Sequence, residues 1–203
     1  MALHPIIAGV VGVAAAAAFT SVFVVDQTQQ AIVTQFGKPQ RVVVKPGLNF
    51  KAPFFFESVI HLDKRILDLE SASEEVITSD QKRLVVDAFS RYRIENPLQF
   101  FQATSGSIAA GEDRLRTLLN SSLRRVLGES SFAAVVRDER AGLVLKVKEQ
   151  LNREAQALGI GVVDVRIRRA DLPEQNSQAV FRRMQTERQR EASEYRAQGV
   201  EAS

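Results

Sequence analysis

An α+β fold is predicted, with a membrane anchor before it and a polar helical rod after it. Three observations carry that prediction. Residues 1–25 contain no Lys, Arg, Asp or Glu. From Gln27 to Ile94, short apolar segments alternate with polar residues and are punctuated by Gly, Pro and Ser-Asp turns, the period of half-buried antiparallel strands. From Asn96 the apolar spacing lengthens to that of amphipathic helices. Strands first and helices afterwards place the helices on one face of an antiparallel sheet.

Bulk composition bounds the function. With 45% hydrophobic and 25% charged residues the chain is of globular type. The net charge of +3 arises from 27 Lys+Arg against 24 Asp+Glu, interleaved along the chain. That balance argues against nucleic acid, which calls for a basic stripe. The chain has no cysteine, so disulfides, thiolate nucleophiles and cysteine metal ligands are all excluded.

Ile6–Val25 is about 20 residues of apolar run, enough at 1.5 Å each to cross a hydrocarbon layer. Its anchoring side chains are Ile6, Ile7, Val10, Val11, Val13, Phe19, Val22, Phe23, Val24 and Val25. A cleaved signal peptide is the competing reading, but the residues before the run lack Lys and Arg and the run exceeds a signal's apolar core. A retained transmembrane helix within 1–25 is therefore expected. Lys38, Arg41 and Lys45 follow it, and counted alone they would leave the C-terminal part in the cytoplasm. Long domains translocate largely regardless of such charges, so the residues leave the side open.

A strand-rich unit is expected over 26–95. Gln30–Phe36, Arg41–Val44 and Leu48–Lys51 are strand segments separated by the turns Gly37-Lys38-Pro39 and Lys45-Pro46-Gly47. Ser58–Glu70 carries Ile60, Leu62, Ile66 and Leu69 at strand-like spacing. Glu75–Thr78 and Arg83–Ile94 flank a polar hairpin tip, Ser79-Asp80-Gln81-Lys82, and Leu84, Val86, Ala88, Tyr92 and Ile94 share one face of the second arm. Phe54, Phe55 and Phe56 cannot all face one side of a strand. Packing into the core competes there with a loop that dips into the headgroup layer.

A second unit is expected over 96–172. Asn96-Pro97 opens a short helix with Leu98, Phe100 and Phe101. Leu115, Leu118, Leu119, Leu123, Val126 and Leu127 line one face of a helix over Ile108–Leu127, which Gly128 is expected to stop. Ser130 or Ser131 caps the next helix, whose apolar face is Leu143, Val147, Leu151, Ala155 and Leu158. Gly159 supplies the left-handed conformation that closes it. Val163, Val165 and Ile167 then alternate with Asp164, Arg166 and Arg168 as a strand. Asp171-Leu172-Pro173-Glu174 reads as a helix start.

Over 173–203 charge dominates. Arg183–Glu187 and Arg190–Glu194 have the i,i+4 spacing that supports a helix. The apolar seam of Val180, Phe181, Met184 and Tyr195 is too narrow to bury on a core. This rod, with Arg188 on it, needs a partner helix, as the start of a coiled coil, and is expected to continue in a longer chain. Arg166, Arg168 and Arg169 are expected to pair with charges on an adjacent subunit.

Catalytic motifs are missing from the sequence: it has no G-x-S-x-G elbow, P-loop lysine, H-E-x-x-H or paired-glycine fingerprint. His61 and Asp63 lie two apart on one strand face, the arrangement of a base with its orienting carboxylate. No nucleophile accompanies them, and an ordinary surface histidine is the better account. No catalytic residue, cofactor or metal is expected.

The segments QQAIVTQFGKP, KPGLNFKAPFFFESVIHLDKRILDLE and LVVDAFSRYRIENPLQF run in order behind the anchor, followed by LGIGVVDVRIRRADLPEQNSQAVFRRMQTERQREASEYRAQG. Together they resemble the SPFH (band 7, stomatin/prohibitin) family over nearly the whole chain. The most specific part is GI-x-VVDVRI with the Leu172-Pro173 pair and R-M-x-x-E-R. The resemblance implies a non-catalytic scaffold, single-pass in the bacterial inner membrane, with its large domain in the periplasm. It further implies a hetero-oligomeric cage, built with an HflK-like partner, that encloses and regulates an FtsH-like AAA+ protease. A homo-oligomeric stomatin- or prohibitin-like organiser of membrane microdomains is the alternative within the family.

Overall fold

A computed structural model describes residues 19–53, 56–135, 140–171 and 185–190. β1 (Val22–Val25) and β4 (Gly47–Phe50) form a two-stranded ribbon. β2 (Gln29–Gln35) lies between β3 (Lys38–Val43) and β5 (Glu57–Asp63) in a three-stranded sheet. In a four-stranded sheet, β8 (Arg83–Ile94) is central: β6 (Leu67–Glu70) and β7 (Glu74–Ile77) run along one edge and β9 (Ile160–Asp171) along the other. All these pairings are antiparallel. The helices are α1 (Pro97–Thr104), α2 (Ile108–Gly128) and α3 (Arg140–Ala155).

Residues at period 2 on β8 meet residues at helical period on α2 and α3, and that meeting is the core. Leu84, Val86, Ala88, Tyr92 and Ile94 are buried with Leu115, Leu119, Leu123 and Leu127 of α2 and with Leu143, Val147 and Leu151 of α3. Each large side chain so placed contributes about 1.5–3 kcal/mol over leaving it exposed. The hydroxyl of Tyr92 reaches Glu112 of α2 at 3.0 Å, and burial first, then this carboxylate, pushes its ionisation well above the usual phenol range. Ile32 and Leu62 of the three-stranded sheet join the same core, and the buried Gln30 amide donates to the Ile94 carbonyl at 3.2 Å.

Helix boundaries follow side-chain caps. Asn96 accepts from the Gln99 N–H at 3.2 Å with Pro97 in the first turn, and Ser107 accepts from the Ala110 N–H at 3.3 Å. Of the two serines before the third helical segment, Ser131 is the one that caps, accepting from Ala134 at 3.3 Å. Gly128 does not stop α2: it is the last helical residue, and Glu129 follows with right-handed backbone. The Glu129 N–H donates to the Arg125 carbonyl at 3.3 Å and the Ser130 hydroxyl to that of Val126 at 2.9 Å. The last carbonyls thus find partners without a left-handed glycine.

Two bulges correct the phase expected for β9. Arg91 faces Asp164 and Tyr92 faces Val162, which leaves Val163 as the extra residue and turns Val162 inward. The Val162 N–H donates to the Asn152 side chain of α3 at 2.9 Å. Arg168 is extra in the same way, between Asp87↔Arg169 and Ala88↔Ile167. β9 runs through Asp171, so Asp171 is a strand residue; the rest of the expected helix start lies outside the described residues.

The expected anchor is corrected at its C-terminal end. Val22, Phe23, Val24 and Val25 are strand, paired with Phe50, Asn49, Leu48 and Gly47. β-branched residues suit a strand, and a partner 22–28 positions further on supplies the ladder. Ile6, Ile7, Val10, Val11 and Val13 lie outside the described residues. Among those described, no helix is long and apolar enough to cross a membrane.

The hairpin tip between β7 and β8 is tied to the α2–α3 junction through Asp80. Its carboxylate accepts from the Thr78 hydroxyl at 2.6 Å and the Phe132 N–H at 3.1 Å, with the Lys82 ammonium 3.2 Å away. These bonds, Thr78 foremost, lower its pKa from 3.8 to about 2. A depressed carboxylate stabilises the fold fully above its unfolded pKa and loses that contribution as pH falls through the folded value. Urea unfolding of Asp80→Asn in mild detergent is expected to give a constant deficit above about pH 4 that closes towards pH 2. A deficit independent of pH would show that the charge contributes nothing.

Candidate membrane-facing and assembly surfaces

Residues opposite one another in an antiparallel pair point to the same side. The pairs Val22↔Phe50 and Val24↔Leu48 therefore place four apolar side chains on one face of the ribbon. They are exposed by 38%, 65%, 62% and 63% respectively. The other face turns inward: Val25 is buried, and Phe23 meets His61 edge-on with ring centroids 6.4 Å apart. The ribbon thus lies against the three-stranded sheet with an apolar side to the outside.

Three hydrogen bonds fix its Val22/Phe50 end. The Arg41 guanidinium donates to the Phe50 carbonyl, the Lys51 N–H to Ser21 at 2.8 Å, and the Ala52 N–H to the Glu57 carboxylate at 2.8 Å. Glu57 opens β5 opposite Gln35, so this is the end of the sheet that carries the β2–β3 turn. At that end Phe36, in the turn with φ 49°, meets Phe56 edge to face at 6.5 Å, and both are exposed. Contiguous exposed apolar groups of this kind mark a membrane or protein contact. Of the aromatic triplet, Phe56 is on this surface, while Phe54 and Phe55 lie outside the described residues.

Sequence reasoning missed Leu48, Phe50 and Phe36 as members. The signal available is the i, i+2 repeat of Leu48 and Phe50, but Val22 and Val24 read equally well as the end of the apolar run.

Each expected assembly arginine on β9 finds a carboxylate in its own chain. Arg166 pairs with Asp164 at 2.9 Å, Arg169 with Asp171 at 2.5 Å, and Arg168 with Glu70 of β6 at 2.6 Å while lying 5.8 Å from the Phe89 ring centroid. The hydrogen bond from Arg166 is the main cause holding the Asp164 pKa below its ordinary value. Arg91–Asp68 and Arg93–Glu95 extend the pattern. Exposed pairs of this type contribute little to stability. Arg188 is exposed in the helical segment 185–190, whereas Phe181, Met184 and Tyr195 lie outside the described residues.

The His61–Asp63 pairing gives way to a different one. Both Asp63 oxygens engage Arg65, at 3.2 and 2.7 Å, and the hydrogen bond from Arg65 holds the Asp63 pKa below its ordinary value. The carboxylate that would have oriented His61 is occupied.

A family model described as SPFH domain / Band 7 family matches residues 23–201. The chain belongs to the SPFH/Band 7 family. The match begins at Phe23, inside β1, and takes in the rest of that strand and all of β4. Among curated relatives, "Protein HflC" of Buchnera aphidicola subsp. Acyrthosiphon pisum is 34% identical, over 90% of this chain and 65% of that protein. "Protein HflC" of Haemophilus influenzae is 33% identical, over 95% and 68%. "Modulator of FtsH protease HflC" of Escherichia coli K12 is 31% identical, over 90% and 68%. The chain thus spans about two thirds of the length of these relatives. The last of them is named for modulating a protease, not for being one.

Proposed function

We propose that the chain is a non-catalytic, single-pass membrane scaffold of HflC type, which assembles with an HflK-like partner into a cage that encloses and regulates an FtsH-like protease. The observation that carries the reading is the outward apolar ribbon, whose first strand follows an N-terminal run without Lys, Arg, Asp or Glu. In this reading the anchor ends before Val22. The ribbon face, with Phe36 and the Phe54–Phe56 loop, then rests in the headgroup layer of the bacterial inner membrane. The large domain stands in the periplasm, and the charged helix after Pro173 meets neighbouring subunits. The name of the Escherichia coli relative supports the link to FtsH.

Purification of the membrane-extracted chain in mild detergent, with identification of co-purifying proteins, tests this. An HflK-like SPFH chain and an FtsH-like protease are expected in the same fraction. Recovery as a homo-oligomer with neither would instead favour a stomatin- or prohibitin-like organiser.

A further inference from the structure

We infer that the ribbon face seats on anionic phospholipid, its cations selecting negatively charged headgroups over zwitterionic ones. The inference rests on the membrane-facing reading of the ribbon and adds the class of lipid. Between Asp26 and Asp63 the chain carries four cations, Lys38, Arg41, Lys45 and Lys51, against one carboxylate, Glu57. That surplus equals the net charge of +3 of the whole chain, so the remainder is balanced. Elsewhere many cations are paired: Arg65 with Asp63, Lys82 with Asp80, Arg124 with Glu74, Arg168 with Glu70. None of the four forms an ion pair among the described residues.

In the chain they border the ribbon and the adjoining turn. Lys38 sits directly after the Phe36-Gly37 turn, and Lys51 directly after Phe50. The Arg41 guanidinium is spent on a neutral acceptor, the Phe50 carbonyl, which orients it without cancelling its charge. Lys45 borders the opposite end of the ribbon, two residues before Gly47. Glu57, the one nearby carboxylate, is turned to the Ala52 N–H. An apolar surface whose neighbouring chain positions carry uncompensated ammonium and guanidinium groups fits a layer of acyl chains beneath phosphate-bearing headgroups.

The chain contains no tryptophan, so Phe50→Trp places a single indole on the face. The full chain carrying it is reconstituted into vesicles of phosphatidylcholine alone or with 30% phosphatidylglycerol, each doped with brominated phosphatidylcholine as quencher. Blue-shifted, strongly quenched emission is expected in the anionic vesicles only. Adding Lys38→Gln and Lys51→Gln should weaken docking roughly 25-fold, about fivefold per charge removed, and high salt should mimic the change. The charge-keeping Lys38→Arg and Lys51→Arg pair should preserve it. Equal quenching in both lipids would overturn the headgroup preference while leaving the membrane-facing reading standing. Water-exposed emission in both would overturn the two together.

Discussion

Replacing Gly159 by alanine is expected to destabilise the fold by about 2–5 kcal/mol, the sum of a backbone and a packing term. Gly159 closes the turn after α3 with φ 71°, and an L-residue there costs roughly 1–2 kcal/mol. The added methyl would also fall well inside contact distance of the Asn96 carbonyl oxygen, 2.8 Å from the Phe100 nitrogen and 3.0 Å from the Gln99 Cβ. Two of these are backbone atoms, one of the residue that caps α1 and one of its first turn. The Gly159 carbonyl itself accepts the N–H groups of Glu95 and Asn96, both at 3.0 Å. Relief therefore requires parting β9 from α1, an overpacking cost of about 1–3 kcal/mol. For a chain of this size, thermal unfolding by circular dichroism should fall by roughly 5–20 °C. Gly142 is the control: it lies in α3 with open space at its Cβ position, so Gly142→Ala should gain about 0.5–1 kcal/mol. Equal melting of the two variants would refute the close-approach account.

Gly159 was readable in the sequence because its cause is local, a glycine ending a periodic apolar helix. The same holds for Asn96-Pro97, for the Ser79–Lys82 tip and for the leucine stripe of α2, each specified within a few residues. Features set by distant partners were not readable. Val22–Val25 looks the same in a membrane helix and in a strand until Gly47–Phe50 is known to pair with it. The bulges of β9 arise from its register with β8, whose residues are distant in the chain: the hydrogen-bonded Ser90 and Asp164 lie 74 positions apart. Arg168 reaches Glu70, 98 residues distant in the chain, a pairing that no local spacing announces. The ribbon face was hidden for the same reason: two strands had to be brought together before four scattered apolar residues became one surface.

Leu119→Ala should destabilise the fold by about 2–5 kcal/mol, whereas Leu145→Ala should stay within about 0.5 kcal/mol. Both are leucines on helices that cover the four-stranded sheet, but Leu119 is fully buried in α2 and Leu145 is 55% exposed on α3. Truncation at 119 removes transfer free energy and leaves a cavity that a close-packed interior only partly fills. At 145 the lost methyl groups were already in water. The comparison also tests whether the two larger sheets form one cooperative unit. Ile32 and Leu62 share the core with α2, and Gln30 donates across to β8, so loss of packing at Leu119 should propagate to the three-stranded sheet and its ribbon. In a chain combining Leu119→Ala with Phe50→Trp, measured in detergent, indole fluorescence and far-ultraviolet circular dichroism should melt at one lowered temperature. Two separate transitions would mean that the ribbon and its sheet hold together without the helical layer, and the shared core would then contribute little to positioning the outward face.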